Sequence, residues 1–187
     1  MDSEFALIPW RHLFALTMKG VDENMVFDIP ENLFYKPEKS NPLRTHMFGR
    51  PLENPVGISA GPHSQMAQNI VAAWLCGARY IELKTVQTDD ELDIPRPCID
   101  MPYEGYNCEF SQELKIHQSY HEYLNAWILI HILQDKFGWT NDAGTVFNLS
   151  VGYNLEGIKK ENVRWFFDKM SNSSKEKNEK LEAIADL

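Results

Sequence analysis

Cysteine is scarce in this chain: Cys76, Cys98 and Cys108 are the 3 among 187 residues, and no Cys-x-x-Cys pair occurs. An odd, scattered set signals neither a disulfide framework nor a structural zinc site and fits a reducing cytoplasm. Basic residues are in deficit as well, with 18 Lys+Arg against 27 Asp+Glu and a net charge of -9. Such a field repels phosphate backbones and anionic headgroups, so neither nucleic acid nor a membrane surface is an expected partner. Apolar runs long enough to span a bilayer are missing. The start, Met1-Asp2-Ser3-Glu4, lacks the basic and apolar segments of a secretory signal. The expected location is the cytoplasm.

What is present is a hydrophobic content of 43%, enough to bury one compact core at this length. Residues 1–50 form an extension rich in aromatics and prolines. Within it, Trp10, Leu13, Phe14 and Leu16 recur at helical spacing, which predicts a short helix over Trp10 to Lys19 closed by Gly20. The segment has little core of its own and is expected to pack on something larger.

Residues 51–170 change rhythm. Val56 to Ala60 reads as a strand, Met66 to Cys76 as an apolar helix ended by Gly77, and Ala78 to Val86 as a second strand. Glu113 to Phe137 carries long helical periodicity ended by Gly138. Thr145 to Val151 is a third strand and Lys159 to Met170 a third helix. Strands alternating with helices argue for βαβ units and a parallel sheet. Residues 171–187 form a polar tail with a weak amphipathic helix through Leu181, Ile184 and Leu187.

Two motifs carry the chemistry. In Asn54-Pro55-Val56-Gly57-Ile58-Ser59-Ala60-Gly61-Pro62-His63, an apolar strand runs into small residues at its carboxyl end, where β/α barrels build their sites. Ser59, Ala60 and Gly61 would let a flat ligand approach the backbone, and Gly61 is free to take a positive φ. An ordinary strand-to-helix turn has the same composition. In Glu82-Leu83-Lys84-Thr85-Val86-Gln87, a lysine interrupts a strand near its C-terminal end. A cation there stabilises charge on a reduced ring or holds a carboxylate; the alternative is a lysine reaching solvent along the sheet rim.

Together these stretches resemble the dihydroorotate dehydrogenase family and the related dihydropyrimidine dehydrogenases. The likeness is strongest to a branch of bacterial iron-sulfur flavoproteins that carry the name selenate reductase subunits. The matching features are Asn54 to Gly61, Gly77-Ala78 and Lys84-Thr85, and the match extends over about residues 52–170. The resemblance implies an α/β fold: an incomplete TIM (β/α)8 barrel, with about three βα units of a parallel sheet and an N-terminal helical extension.

It further implies that Ser59, Ala60 and Gly61 lie against an FMN ring and that Lys84 and Thr85 contact the ring or the substrate. Asn107 sits where orotate-type enzymes place a substrate-binding asparagine, and Asn148, with Ser150, would line the cavity from the third strand. The run Asn107-Cys108-Glu109-Phe110-Ser111 departs from the asparagine, glycine and leucine run of those enzymes and argues against a pyrimidine substrate. Arg96-Pro97 falls where the family has its Pro-Arg segment.

The family's catalytic cysteine or serine base and its glycine-rich phosphate clamp have no counterpart here, so no catalytic residue is assigned, and iron-sulfur clusters are expected only in a remainder. An eight-stranded barrel needs roughly 250 residues, and this chain is expected to be too short to close one.

His63 follows the small-residue turn and suits either a proton carrier or a solvent-facing helix start. His117 and His121 share a helix face at i, i+4 spacing, but without a Glu-x-x-His partner they read as a polar face, and no metal site is expected. The expected function is the N-terminal portion of an FMN-dependent oxidoreductase acting on a small-molecule substrate, inactive alone, with FMN affinity weak or absent. The alternative is a non-catalytic half-barrel interaction module that forms a homodimer or pairs with another chain through its open sheet edge; for the enzyme reading the expected macromolecular partner is an electron-transfer subunit.

Overall fold

The computed structural model describes residues 7–38, 40–86, 88–89, 114–139, 144–151 and 154–187. It opens with α1, Trp10–Asp22, whose buried residues Leu13, Phe14, Thr17 and Gly20 form one stripe. The helix runs past Gly20, contrary to the reading that this glycine closes it. A Cβ at Gly20 would lie 2.7 Å from the Met25 carbonyl oxygen, so the glycine lets a following hairpin press against the helix. Leu16, assigned to the apolar face by spacing, is 42% exposed.

Two short hairpins follow that the sequence pattern did not indicate. Strands β1, Met25–Val26, and β2, Ile29–Pro30, pair antiparallel, as do β3, Thr45–Met47, and β4, Arg50–Leu52. Their two-residue loops, Phe27-Asp28 and Phe48-Gly49, hold both central residues at positive φ, the geometry that matches strand twist. Phenylalanine and aspartate in this region cost about 1 kcal/mol each, and composition alone does not foretell them.

The centre is a three-stranded parallel sheet in the order β5-β6-β7, formed by Gly57–Ile58, Tyr80–Glu82 and Val146–Asn148. Helix α2, Ala67–Leu75, links the first two strands and α3, Ile116–Lys136, precedes the third. Both end as the sequence predicts, in a Schellman turn. Gly77 (φ 111) donates to Trp74 and Ala78 to Ala73; Gly138 (φ 63) donates to Asp135 and Trp139 to Gln134. At Gly57 a Cβ would lie 2.4 Å from the Tyr80 carbonyl, so only glycine lets β5 approach β6. The fold is α/β, an incomplete TIM barrel with an open sheet.

The helix side of the sheet buries Ile81 and Leu83 against Ile70, Val71 and Trp74 of α2 and Leu129 and Leu133 of α3. Leu13, Phe14, Val26 and Phe34 of the N-terminal segment belong to the same apolar cluster. An aromatic chain closes the end of α3: Phe34 stands 5.6 Å from Phe137, Phe137 4.9 Å from Trp139, and Trp139 5.3 Å from Trp74.

After β7 come a short turn of helix, α4, Leu155–Ile158, and then α5, Glu161–Ser171, which buries Val163 and Phe166. The sequence pattern missed α4, whose start is capped by Asn154 accepting from Gly157 N–H at 2.8 Å. The tail forms α6, Ser174–Glu182, which returns to α1. Trp10 Nε1 donates to the Lys180 carbonyl at 2.8 Å, Arg11 pairs with Asp186 through both carboxylate oxygens at 2.6 and 2.8 Å, and Ile184 is buried. Among the described residues no helix is long and apolar enough to cross a membrane.

Candidate functional site

Parallel pairing aligns the carboxyl ends of all three strands on one rim. Tyr80 pairs with Val146, Ile81 with Phe147 and Glu82 with Asn148, while Gly57 and Ile58 pair with Tyr80 and Ile81. Ser59, Ala60 and Gly61 follow β5 at this rim, Ser59 exposed and the other two half-buried. Lys84 and Thr85 follow β6, the lysine buried to 6% exposure and the threonine half-buried. Asn148 and Ser150 belong to β7 and its continuation, both half-buried.

The first two segments are joined directly. Lys84 N–H donates to the Ser64 carbonyl at 3.3 Å, and Ser64 N–H donates to the Gly61 carbonyl at 2.9 Å. The Ser64 hydroxyl lies 3.1 Å from both the Gly61 amide and the Gly61 carbonyl oxygen, closing a compact turn. Lys84 and Gly61 therefore share one end of the sheet.

The lysine sits in a break in the ladder. Glu82 pairs with Asn148 and Val86 with Val151, so three residues on one strand face two on the other. Leu83 N–H still reaches the Asn148 carbonyl at 2.8 Å and Val86 N–H the Ser150 carbonyl at 3.2 Å. The extra residue makes a bulge at Lys84-Thr85, a device that re-aims side chains at barrel rims. Leu83 and Val86 both enter the apolar core, which leaves Lys84 and Thr85 as consecutive non-core residues. Strict alternation would have sent one of them to each face.

Helix α3 supports this rim from behind. The Tyr123 hydroxyl donates to the Lys84 carbonyl at 2.7 Å, and Glu122 accepts from Ala67 N–H, the first amide of α2, at 2.7 Å. Asn125 Nδ2 lies 3.4 Å from the other Glu122 oxygen. Burial raises the Glu122 carboxyl above its ordinary value, against the opposing pull of these donors and of Lys180. Burial likewise pushes the Tyr123 phenol up. The sequence reading passed over Ser64, Glu122 and Tyr123. The available signal was a carboxylate set inside the apolar stripe of a long helix, where an unpartnered charge is not tolerated.

Other expectations fare unevenly. Gly61 does not adopt a positive φ. Its missing side chain instead makes room for the His63 ring, which would lie 2.7 Å from a Cβ at this position. His63 is exposed, in keeping with the helix-start alternative. His121 sits below its ordinary value through desolvation and the nearby Lys180, and no metal-binding cluster occurs among the described residues. Asn107, the Arg96-Pro97 segment, Cys98 and Cys108 lie outside the described residues.

Small residues follow one strand end, a lysine and a threonine the next, and an asparagine ends the third, all on one rim of the sheet. That donor set fits the edge of a flat, carbonyl-bearing heterocycle such as the FMN ring. The described residues supply no glycine-rich phosphate clamp.

A family model described as oxidoreductase YgfK, N-terminal TIM-barrel domain, matches residues 27–186. The chain belongs to this family. It is 46% identical over 154 residues to the protein named "Putative oxidoreductase YgfK" of Escherichia coli strain K12, and equally to that of Escherichia coli O157:H7. Each alignment covers 81% of this chain and 15% of the relative. The chain thus spans about 15% of the length of these curated relatives, and the match lies in the family's N-terminal TIM-barrel domain.

Proposed function

We propose that this chain forms the floor and one wall of the flavin site in an FMN-dependent oxidoreductase of the dihydroorotate dehydrogenase-like class. The observation that carries the reading is the bulge that sets Lys84 and Thr85 together beside the Gly61–Ser64 turn. Bound FMN would supply the hydride and electron chemistry. The chain's own residues do the rest. Ser59, Ala60 and Gly61 give a ledge without bulky side chains, Lys84 offers positive charge to the ring's carbonyl edge, and Thr85 offers a hydroxyl. Asn148, opposite Glu82 in the ladder, provides an amide for a small-molecule substrate, and Asn107 is a further substrate contact. Electrons would pass to another carrier or subunit, with any iron-sulfur cluster outside this chain.

The test is a fluorescence and absorbance titration of the purified chain with FMN. Saturable quenching that weakens in Lys84→Ala supports the reading. Wild type and Lys84→Ala that both leave the flavin signal unchanged at high protein concentration overturn it for this chain.

A second reading, a half-barrel that pairs with another chain, draws on the sheet order, which places β5 and β7 at its two edges. Edge strands present backbone groups that seek partners. A defined dimer in light-scattering chromatography, in protein that takes up no FMN, favours it.

A further inference from the structure

We propose that Tyr123 and Glu122 are positioning residues, which hold the two rim segments at a fixed separation by tying the Lys84 bulge and the start of α2 to one helix. The inference deepens the flavin reading and rests on it for its functional meaning.

A bulge frees backbone groups from the ladder, and a buried carbonyl left without a donor costs stability and order. Lys84 is where this happens. Its N–H turns away from β7 to the Ser64 carbonyl, 3.3 Å away, and its own carbonyl takes the Tyr123 hydroxyl at 2.7 Å. Tyr123 is 1% exposed, so water does not compete for that bond. Without the hydroxyl, the local backbone can recover a carbonyl partner only by slipping the strand back into register, which would redirect Lys84 or Thr85.

The neighbouring residue acts on the other segment. Glu122, 2% exposed, accepts from Ala67 N–H at 2.7 Å, where Met66 as the N-cap provides no side-chain acceptor. The turn from Gly61 to Ser64 and the start of α2 are thereby fixed to the helix that also holds Lys84. Adjacent residues of one rigid helix set both sides of the ledge, so the spacing between Gly61 and Lys84 does not depend on loop conformation.

The test compares wild type with Tyr123→Phe, Glu122→Ala and Glu122→Gln. One readout needs no flavin: the rate of reductive methylation of each lysine, followed by mass spectrometry. In wild type, Lys84 should react far more slowly than Lys175, whose side chain is 81% exposed. Loss of one hydrogen bond in Tyr123→Phe should speed Lys84 by about fivefold and leave Lys175 and Lys177 unchanged. Amide exchange at Ala67 should accelerate in Glu122→Ala and be restored in Glu122→Gln, which keeps an acceptor oxygen. An unchanged Lys84 rate, or an equal rise at every lysine, overturns the proposal.

The functional arm is a double-mutant cycle on FMN affinity. Tyr123→Phe should weaken FMN binding in the wild-type background and have no further effect on Lys84→Ala, because it acts through that lysine. Full additivity overturns the positioning role. A wild type that binds no FMN counts against the flavin reading alone, since methylation and exchange still decide the structural claim.

Discussion

Arg79 and Glu53 form an ion pair at the amino end of the sheet, with side chains 0% and 3% exposed. The guanidinium also donates to the carbonyls of Trp74 at 2.7 Å and Ala78 at 3.0 Å, and stacks 4.9 Å from the Tyr35 ring and 5.1 Å from that of Trp74. Desolvation pulls Arg79 below its ordinary value and Glu53 opposes the shift. Glu53 N–H reaches the Gly144 carbonyl at 3.0 Å, so the pair ties the approach to β5 to the starts of β6 and β7. Removing one partner strands a buried charge. Arg79→Met or Glu53→Met alone should therefore cost about 3–5 kcal/mol in urea unfolding, and the double substitution should recover most of the loss. Additive losses in the double variant would show that the pair is not coupled.

Gly20→Ala provides a test of sign. On an unencumbered helix the change stabilises by about 1 kcal/mol. Here the added Cβ would stand 2.7 Å from the Met25 oxygen and 3.0 Å from the Val26 Cα, so the expected outcome is a net loss of about 1–3 kcal/mol. Thermal or urea denaturation reads the direction, and a raised melting temperature would contradict the close contact between α1 and the first hairpin.

Glu122 should leave a mark on stability against pH. Its folded-state value lies above the ordinary 4.5 because burial disfavours the charged form. The folded chain then binds the proton more tightly than the unfolded one. This group's contribution is full below pH 4.5 and is lost as pH rises through the folded value. Wild-type stability measured relative to Glu122→Gln should fall across that window, with a slope no steeper than about 1.4 kcal/mol per pH unit. A difference that is flat or rises with pH would contradict the burial of this carboxyl.

The tail makes a separate test. Ile184 is 7% exposed within the main apolar cluster, and Ile184→Ala should lower stability by about 2 kcal/mol. Leu187→Ala, at a side chain 61% exposed, should change little. Equal, negligible effects at both positions would mean that the tail frays in solution.

The sequence exposed the parts of this fold that follow from periodicity and from glycine. Gly77 and Gly138 marked two helix ends because the left-handed residue of a Schellman turn admits glycine at least cost. The strand segments, and the shared rim of Gly61 and Lys84, followed from apolar runs broken by small or charged residues. Gly20 misled the reading because a glycine chosen for close packing looks the same in sequence as one chosen for a turn. The hairpin loops Phe27-Asp28 and Phe48-Gly49 were invisible because strained, non-glycine turns are held by their surroundings and not by propensity. The bulge depends on how β6 registers against a strand some sixty-five positions away, Val86 beside Val151, and no local pattern contains that information. Tyr123 and Glu122 remained hidden for the same reason, since their partners lie on other elements.

One surplus residue between Glu82 and Val86 has a consequence for how this segment can change over generations. Substitutions there exchange one side chain for another, but a single-codon deletion would erase the surplus and restore the every-second-residue rhythm through Ile81, Leu83 and Val86. Val86 would stay inside opposite Val151, and only one of the lysine and the threonine would be left between it and Leu83. A shorter segment should thus keep its oily interior and forfeit the side-by-side charge and hydroxyl.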